Sequence, residues 1–101
     1  MKVVDGFAIQ RSDLDGFRRI ELIGELDLAT APQVSKELDG SSDGVNRLVL
    51  DTTQLAFIDS TGLHLLLEAR QRFGAALELI PGKATERLLE LAGLREYFGL
   101  E

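Results

Sequence analysis

Residues 48–73, LVLDTTQLAFIDSTGLHLLLEARQRF, contain the pattern that decides the fold. The run opens with four nearly all-apolar residues, which is typical of a strand buried on both faces of a sheet. From Ser60 onward the apolar residues recur at helical spacing, so we predict Leu63, Leu66 and Leu67 on the inner side of a helix. The stretch between strand and helix is predicted to be a loop. A buried strand followed by an amphipathic helix is the repeating unit of α/β folds.

The rest of the chain extends this unit in both directions. Asp15-Gly16 indicates a turn within a loop longer than two residues, which joins an antiparallel hairpin. In the last long helix, Leu88, Leu91 and Ala92 are predicted to face inward. The predicted order is β-β-α-β-α-β-α-α, with strands at 7–11, 17–26, 48–51 and 76–80 and helices at 30–39, 60–73, 84–92 and 94–98. We therefore expect a single α/β domain over residues 1–101, with a mixed, mostly parallel sheet of about four strands and three to four helices.

The first helix has a recognisable start. Thr30 is expected to accept a hydrogen bond from a free backbone N–H, with Gln33 reaching back as in a capping box. Pro32 falls in the first turn, where a missing N–H costs nothing.

Composition excludes several classes of protein. The chain has 45% hydrophobic and 28% charged residues, which is ordinary for a folded globular domain. Its net charge of −6, with scattered basic residues, argues against direct binding to nucleic acid. It has no cysteine and one histidine, so neither a disulfide framework nor a metal cluster is expected. Without a secretory signal or a run of roughly 20 apolar residues, no membrane span is predicted and the chain is expected to be cytoplasmic.

The chemistry concentrates at Asp59-Ser60-Thr61-Gly62, immediately before a strongly apolar helical stretch. This pattern predicts two hydroxyl groups at a helix N-terminus, where four backbone N–H groups lack intrahelical partners and the helix dipole is positive. A phosphate at that position is stabilised without unfolding the helix. Taken alone, the motif favours a simpler interpretation, in which Asp59 or Ser60 caps the helix and Gly62 is a packing residue.

Two segments resemble the bacterial anti-sigma factor antagonists of the STAS domain family. The first is Asp59-Ser-Thr-Gly-Leu63, preceded by Phe57-Ile58 and by the apolar run 48–51. The second, residues 24–32 (GELDLATAP), is similar to the other marked segment of that family. Both occur in the expected order and separation, and the resemblance covers roughly residues 7–98. It implies a single STAS domain.

The resemblance also implies a partner-switching cycle. An unphosphorylated antagonist binds an anti-sigma factor that is also a serine kinase, and the sigma factor is released. The kinase, which brings its own ATP, phosphorylates Ser60 and then dissociates, and a phosphoserine phosphatase reverses the modification. This chain would hold no cofactor.

The same resemblance implies roles for individual residues. Asp27, Asp59, Ser60, Thr61, Gly62 and His64 are expected to bind the partner. Thr61 is the alternative phosphate acceptor. Asp27 fits a helix cap or loop residue as well as a functional group, whereas His64 fits a solvated side chain better than a neighbour of the phosphate.

Two other functions are weighed against this one. Some STAS proteins are accessory subunits of membrane lipid transporters or stressosome-type scaffold components, with the same fold and no phosphorylation switch. An enzyme is not expected, because Ser60 lies between Asp59 and Thr61 rather than between the two glycines of a nucleophile elbow.

Overall fold

The computed structural model describes residues 2–4, 6–41 and 43–100, with side chains described from residue 6. Met1 and Glu101, which bound the predicted domain, lie outside the described residues, as do Asp5 and Ser42. The elements are β1 (Lys2–Val4), β2 (Phe7–Leu14), β3 (Phe17–Leu26), α1 (Ala31–Asp39), β4 (Arg47–Ile58), α2 (Ser60–Phe73), β5 (Leu77–Ile80) and α3 (Lys83–Ala92), with 3-10 turns at Gly74–Ala76 and Glu96–Phe98.

The five strands form one mixed sheet in the order β1-β2-β3-β4-β5. The β1–β2 and β2–β3 pairs are antiparallel, whereas β3–β4 and β4–β5 are parallel. The predicted fold class and element order are confirmed, and β1 adds one strand at the antiparallel edge. Because of that addition, antiparallel and parallel pairings are equal in number in the described sheet.

The hairpin between β2 and β3 is tighter than the sequence pattern predicted. Leu14 pairs with Phe17, so only Asp15 and Gly16 form the connection. Both have positive φ values, 46° and 81°, as a type I′ turn requires. The expectation of a longer loop was wrong because Ser12, Asp13 and Leu14 continue the strand.

Strand β4 is also longer than predicted, since it runs on from residue 51 to Ile58. The predicted loop at 51–59 is wrong because this stretch continues to pair with β3. Gly24 lies opposite Leu55 and Glu25 opposite Phe57, across two register shifts. The extension carries the end of β4 to the same level as the end of β3.

One core lies between the sheet and the helices. Ala31, Val34 and Leu38 of α1 are buried, as their spacing predicted. In α2, Leu65 and Leu66 are buried, and the predicted inward residues Leu63 and Leu67 are only half-buried. The cluster also contains Phe7, Ile20, Leu22, Leu26, Leu48, Leu50, Ile58, Leu79, Leu89 and Phe98.

Helix α3 is turned differently from the prediction. Thr85 and Leu89 are its buried residues. Leu88 is half-buried, and Leu91 and Ala92 are exposed, which contradicts their predicted inward positions. The apolar stripe that the sequence pattern detected exists, but it faces a surface groove. The last predicted helix, at 94–98, is only the 3-10 turn Glu96–Phe98, with Phe98 buried.

Candidate functional site

Helix α2 begins where β4 ends, and Asp59 is its N-cap. Asp59 is extended, with φ −107° and ψ −170°, and its Oδ1 accepts a hydrogen bond of 3.1 Å from the Gly62 N–H. Its carbonyl accepts a second bond, 3.0 Å long, from the Leu63 N–H. The simpler interpretation of the motif is therefore correct for Asp59: its side chain satisfies one of the free donors of the first turn.

Ser60 is the first residue of α2 and is exposed to solvent, whereas Thr61 is half-buried. The two hydroxyl groups therefore differ in accessibility, although they are adjacent in the sequence. The N–H groups of the first turn lie beside Ser60, at the positive end of the helix dipole. Asp59 already accepts the Gly62 and Leu63 N–H groups, so the N–H groups of Ser60 and Thr61 are the ones left for an anion on Ser60 Oγ.

Gly62 allows the helix to start against the ends of β3 and β4. A Cβ at this residue would lie 2.6 Å from Cγ1 of Ile58 and 3.0 Å from Cγ of Leu26. The Asp59 N–H also donates to the Leu26 carbonyl at 3.3 Å. These contacts bring the 59–62 motif next to the residue that precedes Asp27.

Asp27 organises the turn between β3 and α1. Its Oδ1 accepts hydrogen bonds from the N–H groups of Ala29, at 3.0 Å, and Thr30, at 3.2 Å. Its carbonyl accepts the Ala31 N–H at 2.8 Å. One carboxylate oxygen of Asp27 is thus committed to the loop, which supports the cap-like interpretation, while Oδ2 takes no part in these bonds.

The capping box predicted for α1 is not formed. Thr30 is buried, and its hydroxyl accepts from the Asp27 N–H at 3.0 Å and donates to the Glu25 carbonyl at 2.9 Å. It makes no side-chain bond into the helix. Gln33 does not reach back, and its Oε1 is buried without a partner in the part of the chain that the structure describes. The Thr30 hydroxyl fixes the turn instead of the helix.

Gly24 explains why the second marked segment begins with glycine. Its φ is +102°, and a Cβ there would lie 1.8 Å from the Gly6 carbonyl oxygen. Backbone of the β1–β2 turn therefore occupies the space that any side chain would need. This close approach holds the end of β3, and with it the Asp27 turn, against the rest of the sheet.

A cleft of about 410 Å³, here called the α1–α2 groove, opens beside Ser60. It is lined by Leu28, Ala31, Pro32, Ser35, Ser60, Thr61, His64, Leu65 and Glu68. Leu28 is 75% exposed and follows Asp27 directly. Exposed His64 lies one turn after Ser60 on the same helix, so both face this groove. The groove combines an apolar floor with a modifiable hydroxyl.

The charges near this groove are mainly negative. Glu68 lines the groove, Asp59 directly precedes Ser60, and Asp27 directly precedes Leu28. Among the described residues that line the groove, none is a lysine or an arginine. A phosphate on Ser60 would add about −1.5 to −2 charge units to an already acidic surface.

Asp51, in the apolar run before the motif, does not belong to the site. It is buried, and its Oδ1 accepts from the Thr53 N–H at 2.9 Å and the Thr53 hydroxyl at 2.6 Å. Arg19 pairs with its other oxygen. Burial alone would raise the pKa of Asp51, but the Thr53 hydrogen bonds and the Arg19 charge outweigh it and lower that pKa. This carboxylate is structural.

The described residues contain neither a metal-binding cluster nor a membrane-spanning helix. No group of three or more His, Cys, Asp or Glu side chains within residues 2–4, 6–41 and 43–100 is placed to hold a metal ion. In the same ranges, no helix has both the length and the apolar character needed to cross a bilayer.

The family model described as the STAS domain matches residues 8–101. The chain belongs to the STAS domain family. Anti-sigma-F factor antagonist RsfB of Mycobacterium tuberculosis is similar at 27% identity, over 99% of this chain and 85% of the relative. This STAS protein also resembles an anti-sigma factor antagonist from Mycobacterium paratuberculosis, with a TM-score of 0.84 and 28% identity over 99% of this chain and 89% of that one.

The fold is shared more widely. SpoIIAA in its unphosphorylated form superposes with a TM-score of 0.72 at 23% identity, over 86% of this STAS chain and 82% of the other. Its phosphorylated form gives 0.70 at the same identity, over 86% and 85% of the two chains. At this identity the likeness concerns the fold alone.

Sequence reasoning missed the α1–α2 groove and its exposed apolar side chain, Leu28. The sequence did contain a sign of an exposed apolar side chain, because Leu28 lies between the charged Asp27 and the start of a helix. Leu28 was passed over because it belongs to neither the strand nor the helix pattern.

Proposed function

We propose that this STAS domain is an anti-sigma factor antagonist, and that phosphorylation of Ser60 ends its binding to an anti-sigma factor serine kinase. The observation that carries the proposal is the exposed Ser60 hydroxyl at the first residue of α2, beside the apolar α1–α2 groove. The names of the two mycobacterial relatives support the same function.

The docking surface consists of Asp27, Asp59, Ser60, Thr61 and His64, with the α1–α2 groove beside it, and Gly62, expected from the sequence to bind the partner, is buried beneath it and acts as a packing residue. In the unphosphorylated state, the apolar rim formed by Leu28 and the small polar tip at Ser60 can be covered by a partner. Because Gly62 has no side chain, the first turn of α2, which carries Ser60, can pack closely against the ends of β3 and β4. Docking then needs no change of fold.

The transfer moves one phosphoryl group. Ser60 Oγ attacks the γ-phosphorus of ATP held by the kinase, the bond to the β-phosphate bridging oxygen breaks, and ADP leaves. The hydroxyl proton passes to a base or to solvent. Oδ2 of Asp27, which is outside the hydrogen bonds of its own turn, is our candidate for orienting the hydroxyl or the kinase.

The product separates the partners by charge and hydration. The phosphate is stabilised on its own chain by the N–H groups of the first turn of α2. It lies next to Asp59 and within an acidic surface, so a partner group packed on Ser60 meets a hydrated dianion. A phosphoserine phosphatase then restores the binding form.

Intact-mass measurement tests the proposal. The purified chain is incubated with Mg-ATP and, one at a time, with each purified anti-sigma serine kinase of the source organism. We expect one added phosphate with one of these kinases, lost in Ser60→Ala and retained in Ser12→Ala, a matched change at another exposed serine. Phosphate on Thr61 instead would contradict the site.

Binding measurements test the switch separately. Ser60→Asn and Ser60→Asp have nearly the same size and differ in charge. We expect Ser60→Asn to bind the kinase and Ser60→Asp to bind at least tenfold more weakly. Equal binding by both would exclude the charge mechanism. Capture of a transporter ATPase, with no kinase bound and no phosphate gained, would favour the accessory-subunit function.

A further inference from the structure

Helix α3 carries two adjacent apolar stripes, and the second is only partly covered: Ala84 and Leu88 pack against the edge of the core, whereas Leu91 is exposed. The buried stripe contains Thr85 and Leu89. The second contains Ala84, Leu88 and Leu91, spaced at i, i+4 and i+7, which places them on one side of the helix. Leu91 is 78% exposed. A helix of a monomer needs only one apolar stripe.

The second stripe lies against the end of β4. Together they form the β4–α3 groove, an apolar cleft of about 320 Å³ lined by Ala56, Phe57, Ile58, Ala84, Arg87, Leu88 and Leu91. Phe57 is 47% exposed in this groove. Two large apolar side chains, one from the sheet and one from the helix, thus meet at the surface.

Opposite charges flank the groove on its two sides. Glu25 on β3 lies opposite Phe57 in the strand register and is exposed. Arg87, also exposed, lines the α3 side. Across residues 6–41 and 43–100, neither side chain has a hydrogen-bond or ion-pair partner. The order across the surface is therefore anion, apolar groove, cation.

This order is self-complementary. A two-fold axis through the centre of the groove brings Phe57 and Leu91 of two copies together. It also places Glu25 of each copy opposite Arg87 of the other, so one surface supplies both halves of an isologous contact. We propose that the β4–α3 groove is a homodimer contact of this protein, with a second copy of the chain as its occupant.

The proposed contact centres on one cleft of about 320 Å³, so the dimer is expected to be weak and dependent on concentration. The two flanking ion pairs are at the rim, where they set specificity and salt dependence more than affinity. The inference stands apart from the Ser60 switch, since no residue of the docking surface is needed for it.

Sedimentation equilibrium of the purified chain, from about 10 µM to about 1 mM, tests the contact. We expect the average mass to rise towards that of a dimer for the wild type and for Leu14→Asp, a control at another exposed leucine on the β2–β3 hairpin. Leu91→Asp is expected to remain monomeric at every concentration. A monomeric wild type, or a Leu91→Asp variant that dimerises equally well, would overturn the proposal.

Charge reversal tests directly whether a second copy of the chain occupies the β4–α3 groove. Glu25→Arg and Arg87→Glu should each weaken self-association at least fivefold, because each creates two like-charge contacts. An equimolar mixture of the two variants should form a heterodimer, because both contacts are then attractive. A mixture no tighter than either variant alone would rule out this pairing. The pairing would also be ruled out if the wild type were monomeric and Leu91→Asp lost its binding to the kinase, because the groove would then be a binding site for the kinase.

Discussion

Oδ1 of Asp59 accepts the backbone N–H of Gly62 at 3.1 Å, so the carboxylate that precedes Ser60 is already used within the helix start. It stabilises α2 by the ordinary capping mechanism and keeps the first turn in place before any phosphate arrives. Asp59 and a phosphate on Ser60 would then share the donors of one helix end. Asp59 therefore sets the stability of the α2 N-terminus, and the adjacent Ser60, when phosphorylated, sets its charge.

Removing the cap should lower stability. Asp59→Ala is expected to reduce the free energy of unfolding by about 1 kcal/mol, because the Gly62 N–H loses its acceptor. Asp59→Asn should retain most of the stabilisation by the cap, since an amide oxygen also accepts the Gly62 N–H. Urea unfolding measures both, with Asp43→Ala at an exposed loop residue as the control. Equal stability of Asp59→Ala and the wild type would show that the cap is not needed.

Gly62→Ala should destabilise the protein although alanine favours helices. The added Cβ would lie 2.6 Å from Ile58 Cγ1, and overpacking of this kind costs about 1–3 kcal/mol. Gly40→Ala is the matched control, because a Cβ there meets only the Lys36 and Glu37 carbonyl oxygens, at 3.6 and 3.7 Å, and φ is −70°. We expect that change to be neutral. Thermal unfolding distinguishes the two, and a stabilised Gly62→Ala would contradict the packing argument.

Leu28 should contribute to docking without contributing to folding. Leu28→Ala removes an exposed side chain from the rim of the α1–α2 groove. If it is an interface anchor, its loss costs about 1–2 kcal/mol, or roughly fivefold to thirtyfold in kinase affinity. Leu14→Ala, at a residue of similar exposure, should leave affinity unchanged. Calorimetric titration with the kinase measures both, and equal affinities would remove Leu28 from the interface.

Asp51 should make stability depend on pH in the acidic range. Its folded-state pKa is lowered below the ordinary value of 3.8, so its ionised form contributes stability above that value. The contribution is lost as the pH falls through the lower, folded-state pKa. Asp51→Asn should therefore be less stable than the wild type near pH 6, with a difference that shrinks below pH 3.8. Urea unfolding at a series of pH values tests this. A difference independent of pH would contradict it.

The elements that sequence predicted well are those with one buried face. Ala31, Val34 and Leu38 of α1 follow helical spacing and are all buried. The bounds predicted for α2, 60–73, match Ser60–Phe73, because Asp59 caps the start of the helix and Gly74 follows its end. Local residue chemistry is sufficient in such places.

The errors arose where pairing or an unburied stripe decided the structure. Residues 53–58 lack a clear period of two, but β3 beside them provides partners, so the strand continues. Leu91 follows the helical pattern, yet its own side chain is 78% exposed, beyond the part of the stripe that packs against the core. Periodicity shows that a stripe exists and does not show what covers it.

The site was predictable in its chemistry but not in its surroundings. Ser60 at the helix start followed from the Asp59-Ser60-Thr61-Gly62 motif. The commitment of Asp27 Oδ1 to its own loop, and the groove beside Leu28, depend on how β3 and α2 meet in space.

The two-residue turn at Asp15-Gly16 and the start of α2 lie at opposite ends of β3, about 30 Å apart along a ten-residue strand. The chain contains no cysteine, so a thiol introduced by Leu14→Cys would be unique. A dye attached there would sense the slower tumbling of a bound complex by fluorescence anisotropy while leaving Ser60 untouched. The geometry of this hairpin thus provides a reporter position for following partner exchange in real time.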